Sequence, residues 1–179
     1  MKNRLVIYDF DGTLFDSPDR EKGHRIYRAA TNSDFPFQGW WGRPESLLPP
    51  IVPQEPDEKW FIKSTIQVYK NDAADENTSV ILMTGRPVKM RQRVKQILDS
   101  QKLKFDAYFF SGQKNSKGTD TGEIKLNYIL ELLEPKYKTL ELWEDRPSQI
   151  DFFIENLPKS CNLEKIIVHD AVKMINHQI

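Results

Sequence analysis

The sequence predicts an α/β protein with a central parallel sheet and helices on both faces. Five short apolar runs rich in β-branched and aromatic residues alternate with segments of helical periodicity along 179 residues. Several of these runs stop at acidic or hydroxyl residues, and ligands of open α/β sheets bind at the carboxyl ends of the strands. The length suits one domain, so we predict a single domain over residues 1–179.

The first strand is predicted at residues 4–9, where an apolar run ends in Asp9, Asp11 and Gly12. Residues 16–58 follow and are rich in Pro and Gly, so we expect at most short elements there, such as one or two helix turns around 24–30. Because this segment also carries many aromatic residues, we expect an ordered, irregular, cap-like insertion over the carboxyl end of the sheet.

The remaining elements follow from apolar periodicity and from breakers. Helices are predicted at residues 58–70 and 88–100, where apolar residues lie on one face. A third is predicted at 123–133, where Pro135 marks the stop, and a fourth begins at Pro147, which suits a first helical turn. Further strands are predicted at 79–83, 105–110, 139–143 and 166–169. We expect a polar loop over 111–122 and a short helix in the tail.

Composition narrows the classes of function. The 26 basic and 26 acidic residues cancel, which argues against a surface coated with positive charge but leaves room for a local basic groove. Cys161 is the single cysteine and permits no internal disulfide, which suits a reducing compartment. The start does not resemble a signal peptide, and no apolar run approaches the roughly 18 residues of a membrane helix. We therefore expect a cytoplasmic protein without membrane contact.

The acid pair Asp9 and Asp11 predicts a cation site. Two carboxylates held two residues apart at the end of a buried strand repel each other, and a cation between them relieves the repulsion. Hard oxygen ligands with few nitrogens or sulfurs nearby favour Mg²⁺. We therefore predict a site for magnesium and phosphate.

Three further signals follow the acid pair along the chain: Thr84 after a strand, Lys125 at a helix start, and Glu144 with Asp145 after another strand. Phosphoryl transfer through an aspartyl phosphate needs parts of these kinds. One carboxylate attacks phosphorus and a second acid moves protons, while a hydroxyl and an ammonium hold the phosphoryl oxygens. Additional carboxylates fix the metal ion.

These motifs resemble those of the haloacid dehalogenase (HAD) superfamily of phosphohydrolases. Residues 9–17 resemble its first motif, 82–86 its second, Lys125 its third and 142–146 its fourth. The resemblance covers about residues 5–155. It implies a Rossmann-like three-layer sandwich with strand order 5-4-1-2-3 and an insertion after the first strand.

A narrower likeness comes from Gly39-Trp40-Trp41 with Pro44 and Leu47, taken together with the motifs at Thr84-Gly85-Arg86 and Glu144-Asp145-Arg146. This combination is similar to the HAD-like domain of Swiss Army knife RNA-repair proteins. The last two motifs also resemble the phosphatase domain of polynucleotide kinase-phosphatases. The likeness implies a phosphatase whose partner is a nucleic-acid end or a phosphorylated small molecule such as a nucleotide.

The resemblance also implies roles for individual residues. Asp9 would be the nucleophile, Asp11 the general acid and base, and Thr84 and Lys125 would hold the phosphoryl group. Mg²⁺ would be bound by Asp9, the Asp11 carbonyl and Asp145, with Glu144 supporting through water; the commonest HAD pattern has Asp where Glu144 stands. Substrate contacts would come from Thr84, Gly85, Arg86, Lys125, Trp40 and Trp41.

Several interpretations stay open at this point. Lys114 and Lys117 are rivals of Lys125, and Asp151 suits either the metal site or a helix surface. The basic run 86–95 is a solvated helix face or a contact for a second phosphate. Trp40 and Trp41 belong to the core of the insertion or form a platform for a base. His24 is a structural histidine or a substrate contact.

Two other functions compete with the phosphatase. A phosphoacceptor receiver domain also places acids, a hydroxyl and a lysine around Mg²⁺, although its phosphorylated Asp ends a middle strand. A non-catalytic nucleic-acid-binding module would use Trp40, Trp41 and the basic run, but it would leave the acid set unexplained.

Overall fold

A computed structural model describes residues 2–112 and 120–178 of the chain. Its sheet has six strands in the order β3-β2-β1-β4-β5-β6, of which the first five are parallel and β6 is antiparallel to β5. The strands are β1 (Arg4–Tyr8), β2 (Thr78–Pro87), β3 (Ala107–Ser111), β4 (Thr139–Glu144), β5 (Lys165–Asp170) and β6 (Ile175–Gln178). The predicted order of five strands is confirmed, and β6 extends the sheet at the β5 edge.

Within the described residues, five α-helices complete the layers around the sheet: α1 (Arg20–Thr31), α2 (Lys63–Ala74), α3 (Arg91–Ser100), α4 (Thr121–Leu132) and α5 (Pro147–Ser160). Successive side chains of β1 point to opposite faces. Val6 and Tyr8 join a core with α2, α3 and the inserted segment, whereas Leu5 and Ile7 join a second core with α4 and α5. The predicted three-layer α/β sandwich is therefore confirmed. No helix of the described residues is both long and apolar enough to pass through a membrane.

The inserted segment is more regular than its breaker-rich composition predicts. The expectation of only one or two helix turns is wrong, because α1 has 12 residues and is capped at both ends. The Asp19 side chain accepts from the N–H of Lys22, and Asn32 ends the helix in the left-handed region with φ of 55°. Short 3₁₀ helices at Pro44–Leu47 and Glu58–Trp60 complete the segment.

Arg93 attaches the inserted segment to α3. Its buried guanidinium donates three hydrogen bonds, of 2.6 to 2.8 Å, to the carbonyls of Leu47, Pro53 and Gln54. Arginine suits this place because its rigid fork can reach three acceptors at once. This member of the basic run 86–95 therefore has a structural role.

The tail forms a strand, so the expectation of a short helix there is wrong. The Asp170 carboxylate accepts from the N–H groups of Val172 and Lys173, and Met174 has φ of 54°. This turn reverses the chain, so the following residues pair antiparallel with β5. The helix predicted at 58–70 begins later, at Lys63, because a 3₁₀ turn occupies residues 58–60.

Candidate active site

The carboxyl ends of β1 and β4 lie side by side and bring the first and last motifs together. Tyr8 is the register partner of Trp143, and the N–H of Asp9 donates to the Trp143 carbonyl at 3.0 Å. Asp9 therefore follows β1 beside Glu144, which ends β4. This is the edge of an α/β sheet at which ligands bind.

Lys125 of α4 joins the two carboxylates. Its Nζ donates to Asp9 Oδ1 at 2.8 Å and to Glu144 Oε2 at 2.6 Å, and all three side chains are almost completely buried. Burial acts to lower the pKa of Lys125, but the charges of Asp9 and Glu144 outweigh it and raise the pKa. The lysine therefore stays charged and neutralises part of a buried acidic cluster.

Glu144 uses both of its oxygens inside the protein. Besides the bond from Lys125, Oε1 accepts from the N–H groups of Asp145 and Arg146 at 3.1 and 3.3 Å. Burial acts to raise the pKa of Glu144, but Lys125 and these hydrogen bonds lower it. The longer side chain thus reaches the lysine and the turn after β4, which positions both.

Asp9, Glu144 and Asp145 form an acidic cluster with ligand atoms that lie within 4.8 Å of one another. Burial, with contributions from neighbouring acids, raises the pKa of Asp9 to about 7, against the lowering effect of Lys125. Burial and then the charge of Asp9 raise the pKa of Asp145 to about 8. The cluster therefore holds more negative charge than its surroundings stabilise.

Two unpaired oxygens in this cluster fit a metal ion. Asp9 Oδ2 and Asp145 Oδ1 are buried and have no hydrogen-bond partner within residues 2–112 and 120–178. With Asp11 included, the described residues of the site contribute four carboxylates against the two buried cations Lys125 and Arg86, a formal excess of two negative charges. Oxygen ligands with that excess suit a hard divalent cation.

Asp11 lies beside this cluster and is held by two side chains. Arg86 donates from Nε to Oδ2 at 2.9 Å and from Nη2 to Oδ1 at 2.7 Å, and Ser17 Oγ donates to Oδ1 at 2.6 Å. Arg86 Nη1 also donates to Ser46 Oγ and to the Trp41 carbonyl. The guanidinium is 1% exposed, so it links Asp11 to the inserted segment and presents little surface to a substrate.

Thr84 and Gly85 lie near the carboxyl end of β2, which continues to Pro87, and next to the start of α4. The Thr84 hydroxyl is buried and accepts from the N–H of Arg86 at 3.1 Å, which leaves its own proton for another acceptor. A Cβ on Gly85 would lie 2.8 Å from Cγ2 of Thr121. Glycine therefore allows β2 to approach the first turn of the helix that carries Lys125.

The two adjacent tryptophans have different environments. Trp40 is 4% exposed, donates from Nε1 to the Pro18 carbonyl at 2.9 Å and packs on Gly23, where a Cβ would meet its ring at 1.9 Å. The structure therefore places Trp40 in the core of the inserted segment. Trp41 is 45% exposed, and the Arg86 guanidinium lies 4.9 Å from the centre of its ring. Trp41 alone of the pair presents its ring to solvent.

The structure also places the rival candidates. Asp151 is exposed on α5, as the helix-surface interpretation predicts. Lys114 and Lys117 lie outside the described residues. Sequence reasoning assigned no role to Ser17 and Ser46, which bind Asp11 and Arg86. Ser17 is the last residue of the first motif and could have been found there, whereas no pattern marks Ser46.

A match to a protein-family model shows the family to which the chain belongs. Residues 23–178 match a family model described as HAD domain family 1 in Swiss Army Knife RNA repair proteins. The chain belongs to this family. The matched range begins after β1, so the placement of Asp9 and Asp11 rests on the geometry described above.

Relatives and solved structures agree with the fold. An uncharacterised protein of Saccharomyces cerevisiae, YMR265C, is 25% identical over 84% of this chain and 36% of its own length, so the chain spans about a third of that relative. The Pnkp1/Rnl/Hen1 complex contains a chain that is 19% identical with a TM-score of 0.56, over 90% of this chain and 46% of that one. The Legionella pneumophila effector Ceg4 is 13% identical with a TM-score of 0.55, over 94% and 87%.

Proposed function

We propose that the protein is a Mg²⁺-dependent phosphatase of the HAD type that acts through an aspartyl phosphate on Asp9. The observation that carries this proposal is the buried Asp9–Lys125–Glu144–Asp145 cluster with two carboxylate oxygens left unpaired. A structural ion-pair network would instead pair all of its oxygens, since an unsatisfied buried carboxylate is costly.

The residues divide the reaction in two steps. The Asp9 carboxylate attacks phosphorus, and the bond from phosphorus to the leaving oxygen breaks while Asp11 protonates that oxygen. Water then attacks phosphorus in the aspartyl phosphate while Asp11 takes its proton. The bond between phosphorus and the Asp9 oxygen breaks, which releases inorganic phosphate and restores the Asp9 carboxylate. Lys125 and the Thr84 hydroxyl hold the charge that develops on the phosphoryl oxygens.

Asp9, Asp145 and the Asp11 carbonyl would hold Mg²⁺, and Glu144 would position this set through Lys125 and the turn after β4. The ion supplies positive charge against the incoming phosphate. Arg86 is a positioning residue in this scheme, because it fixes both oxygens of Asp11.

The proposed substrate is a phosphate at a nucleic-acid end, with nucleotides as the smaller alternative. The family description names RNA repair proteins, and one structure with the same fold is an RNA repair complex. The exposed Trp41 ring above Arg86 offers a face on which a base could stack. We also propose that residues 16–58 act as a cap-like insertion within one domain, because they supply Trp41 and Ser46 to Arg86.

Hydrolysis of p-nitrophenyl phosphate by pure protein, with and without Mg²⁺, tests this proposal. We expect turnover that needs the metal and is lost in Asp9→Asn. Asp151→Asn is the matched control, because it removes an exposed acid on α5. Absence of metal-dependent turnover would reject the phosphatase. A panel of 3′-phosphate, 5′-phosphate and cyclic-phosphate oligonucleotides, nucleotides and sugar phosphates then identifies the substrate.

The two competing functions predict different outcomes. A receiver domain would become stably phosphorylated without turnover; against it, the sheet order 3-2-1-4-5 differs from the flavodoxin-like order 2-1-3-4-5. A non-catalytic nucleic-acid-binding module would bind oligonucleotides even after loss of Asp9 and Asp11.

A further inference from the structure

Helix α1 lines a groove that the candidate active site does not include. The groove has a volume of about 530 Å³ and is formed by one side of α1 and the turn that follows it. Its lining residues are Arg20, Glu21, His24, Arg25, Arg28, Asp34 and Phe35. The groove is formed by a basic helix within a chain whose net charge is zero. A net charge of zero does not exclude such a local basic groove.

The groove carries excess positive charge. Arg28 forms an ion pair with Asp34, and Arg25 lies 3.7 Å from Glu21, both at exposed positions. Arg20 has no ion-pair partner in the part of the chain that the structure describes. Three guanidinium groups therefore face two carboxylates, and exposed ion pairs of this kind exchange their partners at little cost. Phosphates are acceptors that suit the arginine fork.

The groove also contains an aromatic surface. His24 stacks on Phe35 with 5.0 Å between ring centres. Arginines next to aromatic rings are the combination with which proteins bind single-stranded nucleic acids.

The start of α1 is fixed close to Asp11. Ser17 Oγ donates to Asp11 Oδ1 at 2.6 Å. Arg20 follows three residues after Ser17, so the Cα atoms of Ser17 and Arg20 are at most about 11 Å apart. From Arg20 to Arg28 the helix advances about 12 Å, the length of three or four stacked nucleotides. A strand that ends at Asp11 can therefore reach the groove within its first few nucleotides.

We propose that this groove binds the sugar-phosphate backbone of a single-stranded polynucleotide whose terminal phosphate occupies the active site. The inference rests on the proposed phosphatase function and adds the surface that makes a polymer a better substrate than a small ester. The basic helix α3 is the weaker candidate for this surface. Arg93 is enclosed by three carbonyls, Arg91 donates to the Tyr108 carbonyl, and Lys95 lies 4.7 Å from the Tyr108 ring centre.

The test compares kcat/KM for oligonucleotides of 2 to 12 residues, bearing the terminal phosphate that is removed fastest, with kcat/KM for p-nitrophenyl phosphate. For the wild type, we expect the ratio to rise with length over the first few nucleotides. For Arg20→Gln/Arg25→Gln, we expect the ratio for the 12-mer to fall about tenfold, and the slope of log kcat/KM against log salt to become shallower by about 1.4, because each phosphate contact on a single strand contributes about 0.7. Arg91→Gln/Lys95→Gln on α3 is the matched control and should leave the ratio unchanged.

The possible results separate the two proposals. If p-nitrophenyl phosphate is not hydrolysed, the phosphatase is rejected, and binding of a labelled 12-mer by the same variants still tests the groove. If the ester is hydrolysed but the α1 variant keeps the wild-type length dependence, the groove proposal is overturned. Loss caused by the α3 control alone, or equal inhibition by polyglutamate and by an oligonucleotide of the same charge, would also overturn it.

Discussion

Replacing Lys125 by Met should strongly destabilise the protein at neutral pH. The lysine is the shared partner of Asp9 and Glu144, and its Nζ lies 2.8 and 2.6 Å from their oxygens. Methionine is unbranched and only one heavy atom shorter than lysine, but it leaves both buried carboxylates without their cation. The effect therefore tests whether the acidic cluster is held together by this one charge.

The size of the effect follows from burial. Lys125 and both acids are at most 2% exposed, so water cannot replace the lost partner. Breaking a buried ion pair by removing one partner costs about 3–5 kcal/mol. Because a single lysine serves both pairs, the two losses do not add, and we expect about 4 kcal/mol in total. Some of this should return in Lys125→Met/Glu144→Gln, where the amide oxygen keeps the backbone bonds and one charge is gone.

Urea unfolding at pH 7.5 without added metal measures this directly. For a slope of about 2.5 kcal/mol per molar, the midpoint should fall by about 1.5 M. Lys159→Met removes an exposed i,i+4 partner of Glu155 and is the control, with little expected change. A midpoint for Lys125→Met within error of the wild type would refute the reasoning, as would a double variant less stable than the single one.

Three further predictions concern the framework around the site. Gly23→Ala should lower Tm, since overpacking against Trp40, 1.9 Å from the new Cβ, costs about 1–3 kcal/mol and exceeds the helix-propensity gain of about 1 kcal/mol; a higher Tm would contradict the packing. Burial acts to raise the pKa of Glu141, but hydrogen bonds from His169 and Arg4 lower it from 4.5 to about 2. The stability that the ionised Glu141 adds is therefore complete above pH 4.5 and is lost as pH falls towards 2. Glu141→Gln should show a flatter acid-unfolding curve between these pH values. An unchanged slope would count against the lowered pKa of Glu141. Arg93→Lys should leave buried carbonyls of the inserted segment without hydrogen-bond donors, at a cost in stability of about 1–3 kcal/mol. We expect faster limited proteolysis within residues 44–56. Wild-type resistance there would argue against the attachment of this segment by Arg93.

Local patterns made the sheet and the position of the site predictable. Each strand of the parallel sheet is an apolar run that ends at a turn signal, and Asp9, Thr84 and Glu144 follow directly on such runs or end them. Because neighbouring parallel strands end at the same edge, sequence position alone indicates that Asp9 and Glu144 come together, and both accept from Lys125 in the structure. The turn at Asp170 was also a local signal, but the short exposed strand after it has no clear alternation.

The contacts made by the inserted segment were not predictable in this way. Trp40 and Trp41 have the same side chain and adjacent positions, yet a glycine 17 residues earlier and the Pro18 carbonyl decide which of them is buried. The pairing of Arg86 with Asp11 spans 75 residues and depends on Ser46, so no local pattern contains it. The many prolines around α1 made this helix hard to predict, although Asp19 is a recognisable N-cap residue.

Arg86 makes the inserted segment and the candidate active site inseparable in protein engineering. One side of its guanidinium holds Asp11, and the other holds Ser46 and the backbone of Trp41. A segment of different length or shape, grafted after β1 to change substrate preference, must therefore bring a hydroxyl and a carbonyl back to the same two places. A chimera without them would lose turnover on every substrate together, and its failure would be misread as a poor choice of new specificity.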